Sequence, residues 1–304
     1  MTRTDRPRPP REPVDGVLLL DKPTGISSNA ALQRTRRALG AAKAGHTGTL
    51  DPLASGLLPL ALGESTKFSQ ALLDADKAYR ATVCLGVTTT TGDAEGEVIA
   101  RASVDVSAAQ IAAVVDRFAG EIEQLPPMYS ALKHAGKPLY AYAREGVDIK
   151  RKRRRVTIHE IACTLLSSDT VELVVRCSKG TYVRTLGEDI GHALGCGAHL
   201  TALQRTAIGR FSLDEAHPLP LIEAEGLAAR ARLLPVDALI DTLDRLSLSP
   251  DDSHRLCHGQ TVSVVGVGPG EYRVYGSAVF LGLGRVSDDG VLRPRRLVNT
   301  AQGA

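Results

Sequence analysis

The sequence predicts an α+β protein with two domains. Residues 77–87 alternate apolar with polar side chains, as a strand with one buried face does, whereas residues 107–118 repeat apolar side chains with helical spacing. A chain of 304 residues is long enough for two domains. Its character changes after residue 245, where short apolar runs alternate with many glycines. We therefore place the two domains at residues 14–245 and 246–304.

The first predicted elements are a strand and a capped helix. Residues 16–20 are apolar and lead into the sequence DKPTG, which contains the residue types that turns require. A helix then begins at Ser27 or Ser28, because a serine hydroxyl can accept a hydrogen bond from a free backbone amide at a helix start. The helix runs through Leu39, and Gly40 is its stop signal.

The segment GHTGTLDPLASG, at residues 45–56, has an unusual composition. Three glycines and a proline within twelve positions predict a loop with imposed backbone angles, not a helix or a strand. Asp51 is the only acid in this segment, and Pro52 disfavours helical geometry at the residue before it. We therefore expect the Asp51 carboxylate to project from the loop, in a plausible position for a nucleophile.

The remaining elements of the larger domain follow from the same periodicities. They are an apolar run, a short helix, a pair of strands and a final helix, at residues 57–62, 64–73, 156–166, 171–177 and 182–194. The polar turn SKGT joins the strand pair to the final helix.

Residues 124–155 form a long, weakly patterned stretch in which cations and tyrosines accumulate. Such a stretch inside a compact domain is usually functional or mobile. It ends in six consecutive cations, KRKRRR, at residues 150–155. Like charges at this density repel unless a polyanion screens them, which favours phosphate contact over a solvated charge run. The net charge is only +3, so the distribution of charge, not the total, indicates a nucleic-acid partner.

Composition excludes several classes of protein. Hydrophobic residues make up 43% and charged residues 23%, as in an ordinary soluble protein, and no apolar run is long enough to span a membrane. Residues 1–13 carry four arginines and four prolines, so we predict a disordered basic tail and not a secretory signal peptide. Five cysteines without a C-x-x-C pair predict thiols of a reducing cytosol.

Three side chains beside predicted loops are candidates for a site with Asp51. Arg184 lies in the first turn of a predicted helix, where the helix dipole disfavours a cation, so either an anion lies nearby or the side chain reaches solvent. If the anion is Asp51, charge-assisted hydrogen bonds would hold that carboxylate ionised and oriented. Tyr79 and Tyr182 begin a strand and a helix, and each either belongs to the core or stacks on a nucleobase.

Other polar residues carry weaker signals. His46 is a general base, a hydrogen-bonding strut or a phosphate contact, and we expect Lys22 and Lys67 to be solvated or to face phosphates. The sequence GHTG lacks both the glycine spacing of a dinucleotide loop and the ending of a P-loop. No metal-ligand spacing occurs either, so we expect neither a metal nor a nucleotide cofactor.

Together these segments resemble the TruB-type tRNA pseudouridine-55 synthases of bacteria. The resemblance covers residues 14–304 and depends on the motifs GVLLLDKPTG, GHTGTLDPLASG, KAYRATVCL, TGDAEGE, PPMYSALK and KGTYVRTL, at residues 16–25, 45–56, 77–85, 91–97, 126–133 and 179–186. The Asp51 loop and the last motif are the most specific of these.

The resemblance implies both a fold and a reaction. The fold is that of a pseudouridine synthase, with a mixed, mostly antiparallel central sheet flanked by helices, and residues 246–304 form a PUA domain, a small β pseudo-barrel that helps to hold tRNA. The reaction converts one uridine of the T-arm loop of tRNA to pseudouridine. The N1 glycosidic bond breaks, the base turns, and the base is rejoined through C5. Such an isomerisation needs no cofactor and no metal.

The resemblance also implies residue roles. Asp51 is the nucleophile, Arg184 is its partner, Tyr79 stacks on the flipped base, and Tyr182 lies near C5 and helps to remove its proton. Asp51 either attacks C6 of the ring, attacks C1′ of the ribose or removes a ribose proton, and all three routes need a deprotonated carboxylate. Extruding the nucleotide costs about a few kcal/mol, which contacts in the pocket offset.

Two further roles follow from the same resemblance. Leu203 packs near the target base, and His46 occupies the space that is vacated when nucleotides flip out. We also expect residues 124–155 to become ordered on tRNA. The expected enzyme is a cytoplasmic monomer that binds the T-arm of tRNA.

Three other functions agree less well with the sequence. A glycoside hydrolase normally needs two carboxylates about 5 to 9.5 Å apart, and the sequence singles out no second acid near Asp51. A non-catalytic protein that binds tRNA and helps it to fold is the stronger alternative, and it would not require Asp51. A relative that depends on a guide RNA is disfavoured, because the chain contains its own tRNA-contacting parts.

Overall fold

The computed structural model describes residues 12–299. The strands are β1 (Gly16–Lys22), β2 (Ala44–His46), β3 (Ala54–Leu62), β4 (Lys77–Leu85), β5 (Val87–Thr89), β6 (Val98–Arg101), β7 (Gly120–Gln124), β8 (Lys133–His134), β9 (Lys137–Pro138), β10 (Arg154–Leu165), β11 (Thr170–Cys177), β12 (Ala198–Ile208), β13 (Phe211–Ser212), β14 (His217–Pro218), β15 (Arg245–Leu248), β16 (Val262–Ser263), β17 (Gly270–Gly276), β18 (Val279–Val286) and β19 (Val291–Leu297). The α-helices are α1 (Ser28–Ala38), α2 (Gln70–Asp74), α3 (Ala108–Asp116), α4 (Leu139–Arg144), α5 (Val183–Ala193), α6 (Leu219–Glu225) and α7 (Pro250–Cys257).

A ten-stranded sheet forms the centre of the larger domain. Its order is β14-β1-β3-β12-β4-β11-β10-β7, with β2 beside β3 and β13 beside β12. The pairs β1/β14 and β3/β12 are parallel, and the other neighbours along this path are antiparallel. This arrangement confirms the predicted α+β class with a mixed, mostly antiparallel sheet and helices packed on it.

Strand β1 is buried on both faces. Leu18 and Leu20 pack in the core that includes α1, whereas Val17 and Leu19 pack in a second core with Phe211 on the opposite face. Burial on both sides explains why this strand is a continuous apolar run in the sequence, without the alternation of a half-exposed strand.

Strand β4 has the alternating pattern that the sequence predicts. Ala81, Val83 and Leu85 are buried in a third core, where they pack with Ile111 of α3 and Leu186 of α5. The side chains between them are more exposed. The strand therefore has one face on the core and one face that is available to other groups.

The helix caps follow the sequence closely. The Ser27 hydroxyl accepts a hydrogen bond from Ala30 N at 3.1 Å, as an N-cap does. At the other end, Gly40 has φ of +64°, the left-handed conformation that glycine adopts readily. The predicted helix from Ser27 or Ser28 through Leu39 is thus confirmed to within one residue.

Two predicted elements differ from the structure. The loop around Asp51 is shorter than residues 45–56, because backbone pairing extends β2 to His46 and starts β3 at Ala54. The predicted helix at residues 64–73 is a 3-10 turn (Gly63–Phe68) followed by α2. Here the Ser65 hydroxyl donates to Gly16 O at 2.6 Å and so ties the turn to β1.

A second, five-stranded sheet lies in the C-terminal part of the chain, in the order β15-β17-β18-β19-β16. Its own core includes Leu256, Val274 and Leu292, which confirms the small β-rich unit predicted there. Asp237 links it to the larger domain, because its carboxylate accepts hydrogen bonds from Arg273 Nη1 at 2.9 Å and from the Tyr275 hydroxyl.

Most of the predicted N-terminal tail, residues 1–11, lies outside the described residues. Glu12 forms a backbone bridge with Ala41, and its carboxylate lies 2.7 Å from Arg230 Nη1. Among the described residues, no helix has the length and apolar character needed to cross a membrane.

Candidate active site

Asp51 lies in the loop between β2 and β3, and its neighbours anchor this loop on both sides. Leu50 N donates to the Ser28 hydroxyl at 2.7 Å, and that hydroxyl donates to Leu50 O at 2.9 Å. Gly25 N donates to Pro52 O at 2.8 Å. The start of α1 and the turn before it therefore fix the backbone on either side of Asp51.

Arg184 lies in the first turn of α5, and its guanidinium joins several parts of the chain. Its Nη2 is 2.7 Å from Asp51 Oδ2, and its Nη1 is 3.2 Å from Asp93 Oδ2. The same group donates to the carbonyl oxygens of Thr91 and Tyr129, at 3.0 and 2.7 Å. The side chain is only 5% exposed, so these acceptors take the place of water. The structure thus brings Arg184 to Asp51, through a single nitrogen.

Asp93 is a member of this cluster that the sequence analysis did not single out. It is 2% exposed, and its Oδ1 accepts hydrogen bonds from the Thr91 hydroxyl and from Glu95 N. It lies in the motif TGDAEGE, which predicts only a polar turn. A buried acid in such a turn needs a cationic partner, and Arg184 supplies it.

The environment of Asp51 changes its basicity. Burial raises the pKa of its carboxyl group above the ordinary value; Arg184 lowers that pKa, and the Asp93 carboxylate raises it. The net direction is upward, opposite to the one expected from the Arg184 contact alone. Because a carboxylate with a raised pKa binds a proton more strongly, this environment makes Asp51 a stronger base than a solvated aspartate.

A hollow of about 240 Å³ opens beside Asp51. Tyr79, Tyr182, Leu203 and Arg184 contribute to its walls. Tyr79 and Tyr182 come from β4 and from the residue that precedes α5, and burial raises the pKa of both phenols. The structure therefore collects four of the predicted site residues around one small, partly aromatic cavity that contains Asp51.

Arg205 is a second residue that the sequence analysis missed. It is 1% exposed, and its Nε donates to Leu57 O at 2.7 Å and its Nη2 to Gly48 O at 3.5 Å. Both Arg205 and Tyr79 line the hollow, and Gly48 belongs to the Asp51 loop. Arg205 therefore supports the loop from inside the sheet, a position that its polar side chain did not indicate.

Lys77, at the start of β4, also lines the hollow. Its ammonium donates to the carbonyl oxygens of Leu72, Leu73 and Ala75, at 3.3, 2.8 and 2.5 Å. Burial lowers the pKa of Lys77 to about 8. The ammonium thus fixes the end of α2 against the strand that carries Tyr79.

A second hollow, of about 530 Å³, lies next to the first and shares Asp51 and Arg184 with it. His46 and Tyr140 line this hollow. Burial lowers the pKa of His46, and its Nδ1 has no hydrogen-bond partner within the described chain. Asp51 and Arg184 thus stand where two cavities meet, with His46 in the larger one.

Lys22 and Lys67 do not have the positions that the sequence suggests. Lys22 is fully buried, and its ammonium donates to Pro23 O at 2.8 Å and to Ile26 O at 2.7 Å. Lys67 pairs with Glu64 at 2.6 Å and donates to a backbone carbonyl of β19 at 2.8 Å. The expectation that Lys22 is solvated is therefore wrong, because backbone carbonyls take the place of water, whereas a phosphate contact of the partly exposed Lys67 stays a prediction.

Residues 124–155 contain little regular structure besides the short pair β8 and β9 and helix α4. Strand β10 begins at Arg154, so the last two cations of the run at residues 150–155 belong to the sheet. Arg155 lies 3.4 Å from Glu121, and Arg151 Nη1 donates to Pro126 O at 3.0 Å. The basic run thus lies in and just before β10, the strand next to the end strand β7 of the sheet.

In the part of the chain that the structure describes, no group of three or more histidine, cysteine, aspartate or glutamate side chains is arranged to hold a metal ion. The five cysteines are free thiols.

Comparison with known proteins gives consistent matches along the chain. Residues 36–183 match the model of the TruB family pseudouridylate synthase N-terminal domain. Residues 184–241 match the tRNA pseudouridylate synthase B C-terminal domain, and residues 245–298 match the C-terminal domain of pseudouridine synthase II TruB.

Similar proteins cover nearly the whole chain. A tRNA pseudouridine synthase B of Aromatoleum aromaticum is 55% identical over 97% of this chain and 96% of its own length. Its counterpart in Chromobacterium violaceum is 54% identical over 98% and 99%. A solved structure, the crystal structure of a Cbf5-Nop10-Gar1 complex, aligns with a TM-score of 0.69 and 28% identity over 95% of this chain and 85% of the matched chain.

Proposed function

The chain belongs to the TruB family of pseudouridylate synthases, and from this we propose that it isomerises uridine 55 in the T-arm loop of tRNA to pseudouridine. One observation carries the proposal: a single carboxylate of raised pKa, Asp51, lies in a small partly aromatic cavity and is held there by a buried arginine. A cavity of about 240 Å³ suits one flat base better than a folded RNA segment.

The reaction conserves every atom of the substrate. The N1–C1′ bond of the uridine breaks and a C5–C1′ bond forms; the ring loses one proton from C5 and gains one at N1. No oxidant, reductant or group donor is consumed. The protein must therefore supply a nucleophile or base, hold the detached base as it turns, and accept the C5 proton.

We assign the first task to Asp51. Its loop is anchored on both sides, and Arg184 orients the carboxylate from one direction, which leaves the other oxygen available to the substrate. The carboxylate is 39% exposed and can therefore be reached from the cavity. The base must leave the RNA stack to reach it, so the proposal includes flipping of the target nucleotide.

We assign the holding of the base to Tyr79 and Leu203, and the acceptance of the C5 proton to Tyr182. Tyr79 offers an aromatic face, and stacking on such a face contributes about 1–3 kcal/mol per base. Leu203 lines the same cavity and supplies an apolar surface beside the base. His46, in the adjoining hollow, lies where it can fill the space that the extruded nucleotides leave.

We further propose that residues 124–155 and the C-terminal sheet contact the tRNA. The six consecutive cations at residues 150–155 match the charge of an RNA backbone, because phosphate contacts supply most of the sequence-independent affinity. In this proposal the enzyme acts as a monomer in the cytoplasm, where five free thiols would stay reduced.

The proposal is tested by mapping the product. An unmodified tRNA transcript is incubated with the protein, and pseudouridine is located by carbodiimide treatment and primer extension. We expect one new stop at the target uridine, and none in a transcript with cytidine at that position. Tight binding without modification would contradict the proposal and support the tRNA-folding alternative.

A further inference from the structure

One side chain of the central sheet holds the backbone of Tyr182. Gln124, the last residue of β7, is fully buried. Its Oε1 accepts a hydrogen bond from Tyr182 N at 3.0 Å, and its Nε2 donates to Tyr182 O at 3.3 Å. Both backbone groups of Tyr182 are therefore fixed where its side chain enters the cavity.

A cation lies over the ring of the same tyrosine. Arg154 is the strand partner of Gln124 in the antiparallel pair of β7 and β10, and its guanidinium carbon lies 5.8 Å from the centre of the Tyr182 ring. This distance is within the range of a cation–π contact. Gly180 leaves room for it, because a Cβ atom there would lie 3.3 Å from Arg154 Nη1.

Arg154 differs from its neighbours in the basic run. Arg153 and Arg155 are exposed, whereas Arg154 is half-buried. Arg155 pairs with Glu121, and Arg153 Nη1 donates to Glu123 O at 3.4 Å. Among the ion pairs of residues 12–299, Arg154 has no carboxylate partner. Its guanidinium thus contacts the Tyr182 ring, whereas Arg153 and Arg155 contact residues of β7.

We propose that Arg154 is a positioning residue for pseudouridine formation, which holds the Tyr182 ring in the orientation that removal of the C5 proton requires. The inference rests on the proposed function, because it takes Tyr182 as the group that accepts this proton. In that step the C5–H bond breaks and its electron pair forms the C5=C6 double bond, while the C6=N1 electron pair moves to N1, which takes up a proton. The proton from C5 passes through the phenol to solvent.

The charge of Arg154 favours proton removal by Tyr182, in addition to the effect of its position. Burial raises the pKa of Tyr182, and the Arg154 cation partly offsets this effect. A phenol that binds its proton less tightly is more easily converted to the base that the step needs. Loss of the cation would therefore slow proton removal even if the RNA bound normally.

The test compares Arg154→Gln with Arg101→Gln, the same change at an exposed strand arginine outside residues 124–155. Both are assayed at saturating T-arm RNA under single-turnover conditions, with hydrogen or deuterium at C5 of the target uridine. RNA affinity is measured separately, and melting temperature checks folding. Arg154→Met, which removes the cation and keeps an unbranched side chain, takes the place of Arg154→Gln if that variant does not fold.

We expect Arg154→Gln to lower the single-turnover rate constant about tenfold or more, to increase the deuterium isotope effect and to leave RNA affinity unchanged. Arg101→Gln should match the native rate and isotope effect. An unchanged isotope effect with weakened RNA binding would overturn the proposal and indicate a phosphate contact. A native protein that forms no pseudouridine would instead refute the proposed function.

Discussion

Asp51 and Arg184 are separated by 133 residues in the chain, yet Asp51 Oδ2 and Arg184 Nη2 lie 2.7 Å apart. The carboxylate is partly exposed, whereas the guanidinium is buried and bound at the same time to Asp93. Because Arg184 contacts both carboxylates, the buried Asp93 helps to fix the arginine, and the arginine helps to fix the accessible Asp51. Its planar fork suits this double contact, because two nitrogens point to different acceptors.

Arg184→Lys should separate charge from geometry. A lysine ammonium is a compact charge on a flexible stem and cannot reproduce the planar fork that bridges Asp51 and Asp93. We expect kcat/KM for pseudouridine formation to fall by about 10²-fold or more, since small displacements of a catalytic group cost this much. Arg34→Lys, at a surface pair with Glu223, is the control and should retain native activity.

Arg184→Lys should also shift the pH profile of activity. In the proposed reaction Asp51 acts in its deprotonated form. Its pKa in the folded protein is already raised, and Arg184 is the main group that lowers it. A weaker contact raises the pKa further, so activity on the acid side should be lost at a higher pH than in the native enzyme. An acid limb that stays in place in Arg184→Lys would show that this ion pair does not control Asp51.

Gly56→Ala tests the close approach of β3 and β12. Gly56 has φ of +98°, and a Cβ atom there would lie 2.4 Å from the backbone oxygen of Arg205. Gly25 has a similar φ of +79° but open space around the added atom. We expect Gly25→Ala to cost about 1 kcal/mol of unfolding free energy from backbone strain alone, and Gly56→Ala to cost about 3 kcal/mol or more. Equal losses of unfolding free energy in the two variants, measured by denaturant unfolding, would show that the close approach at Gly56 adds no cost.

Local rules predicted much of the fold. Ser27 and Gly40 bound α1 as capping chemistry requires, and the alternation around Ala81 gave the buried face of β4 because side chains in a strand change face at each residue. A cation at a helix start contradicts the helix dipole, so the sequence allowed either a nearby anion or a solvent-exposed Arg184, and the structure supplies the anion.

The residues that were missed or misplaced depend on distant partners. Asp93 and Arg205 are polar, so residue type alone favours the surface; their burial depends on Arg184 and on the carbonyl oxygen of Leu57, far away in the chain. Lys22 was expected to be solvated or to face phosphates, but carbonyl oxygens of its own turn accept its hydrogen bonds. The spacing of apolar residues in the sequence contains no signal for such local contacts.

Lys22→Met should change how stability depends on pH. Burial lowers the pKa of Lys22 from 10.5 to about 8, so between these values the unfolded chain binds more protons than the folded one. The free energy of unfolding contributed by Lys22 therefore rises as pH increases from about 8 to 10.5, by at most about 3 kcal/mol.

The methionine variant lacks this contribution. Its stability relative to the native protein should therefore fall between pH 7.5 and 10, as measured by denaturant unfolding at each pH. Lys77 has a similarly lowered pKa and stays in place, so the native rise is reduced, not abolished. A constant difference between the two proteins across this range would refute the assigned pKa shift.

Asp51→Asn should not cost stability at neutral pH. Because the pKa of Asp51 is raised on folding, the ionised carboxylate destabilises the folded state above its unfolded pKa, and this cost is relieved as pH falls through the folded value. Asparagine removes the cost, and Arg184 keeps Asp93 and two carbonyl acceptors. We expect a melting temperature at pH 7.5 that equals or exceeds the native one; a marked decrease would indicate a structural role for Asp51.

The most direct test of the central claim is tritium release from tRNA that carries tritium at C5 of uridine. The native protein and the exposed control Asp105→Asn should both release it. Asp51→Asn should release none while still binding the tRNA, because in the proposed reaction the Asp51 carboxylate acts first. Tritium release by Asp51→Asn at the native rate would contradict the account.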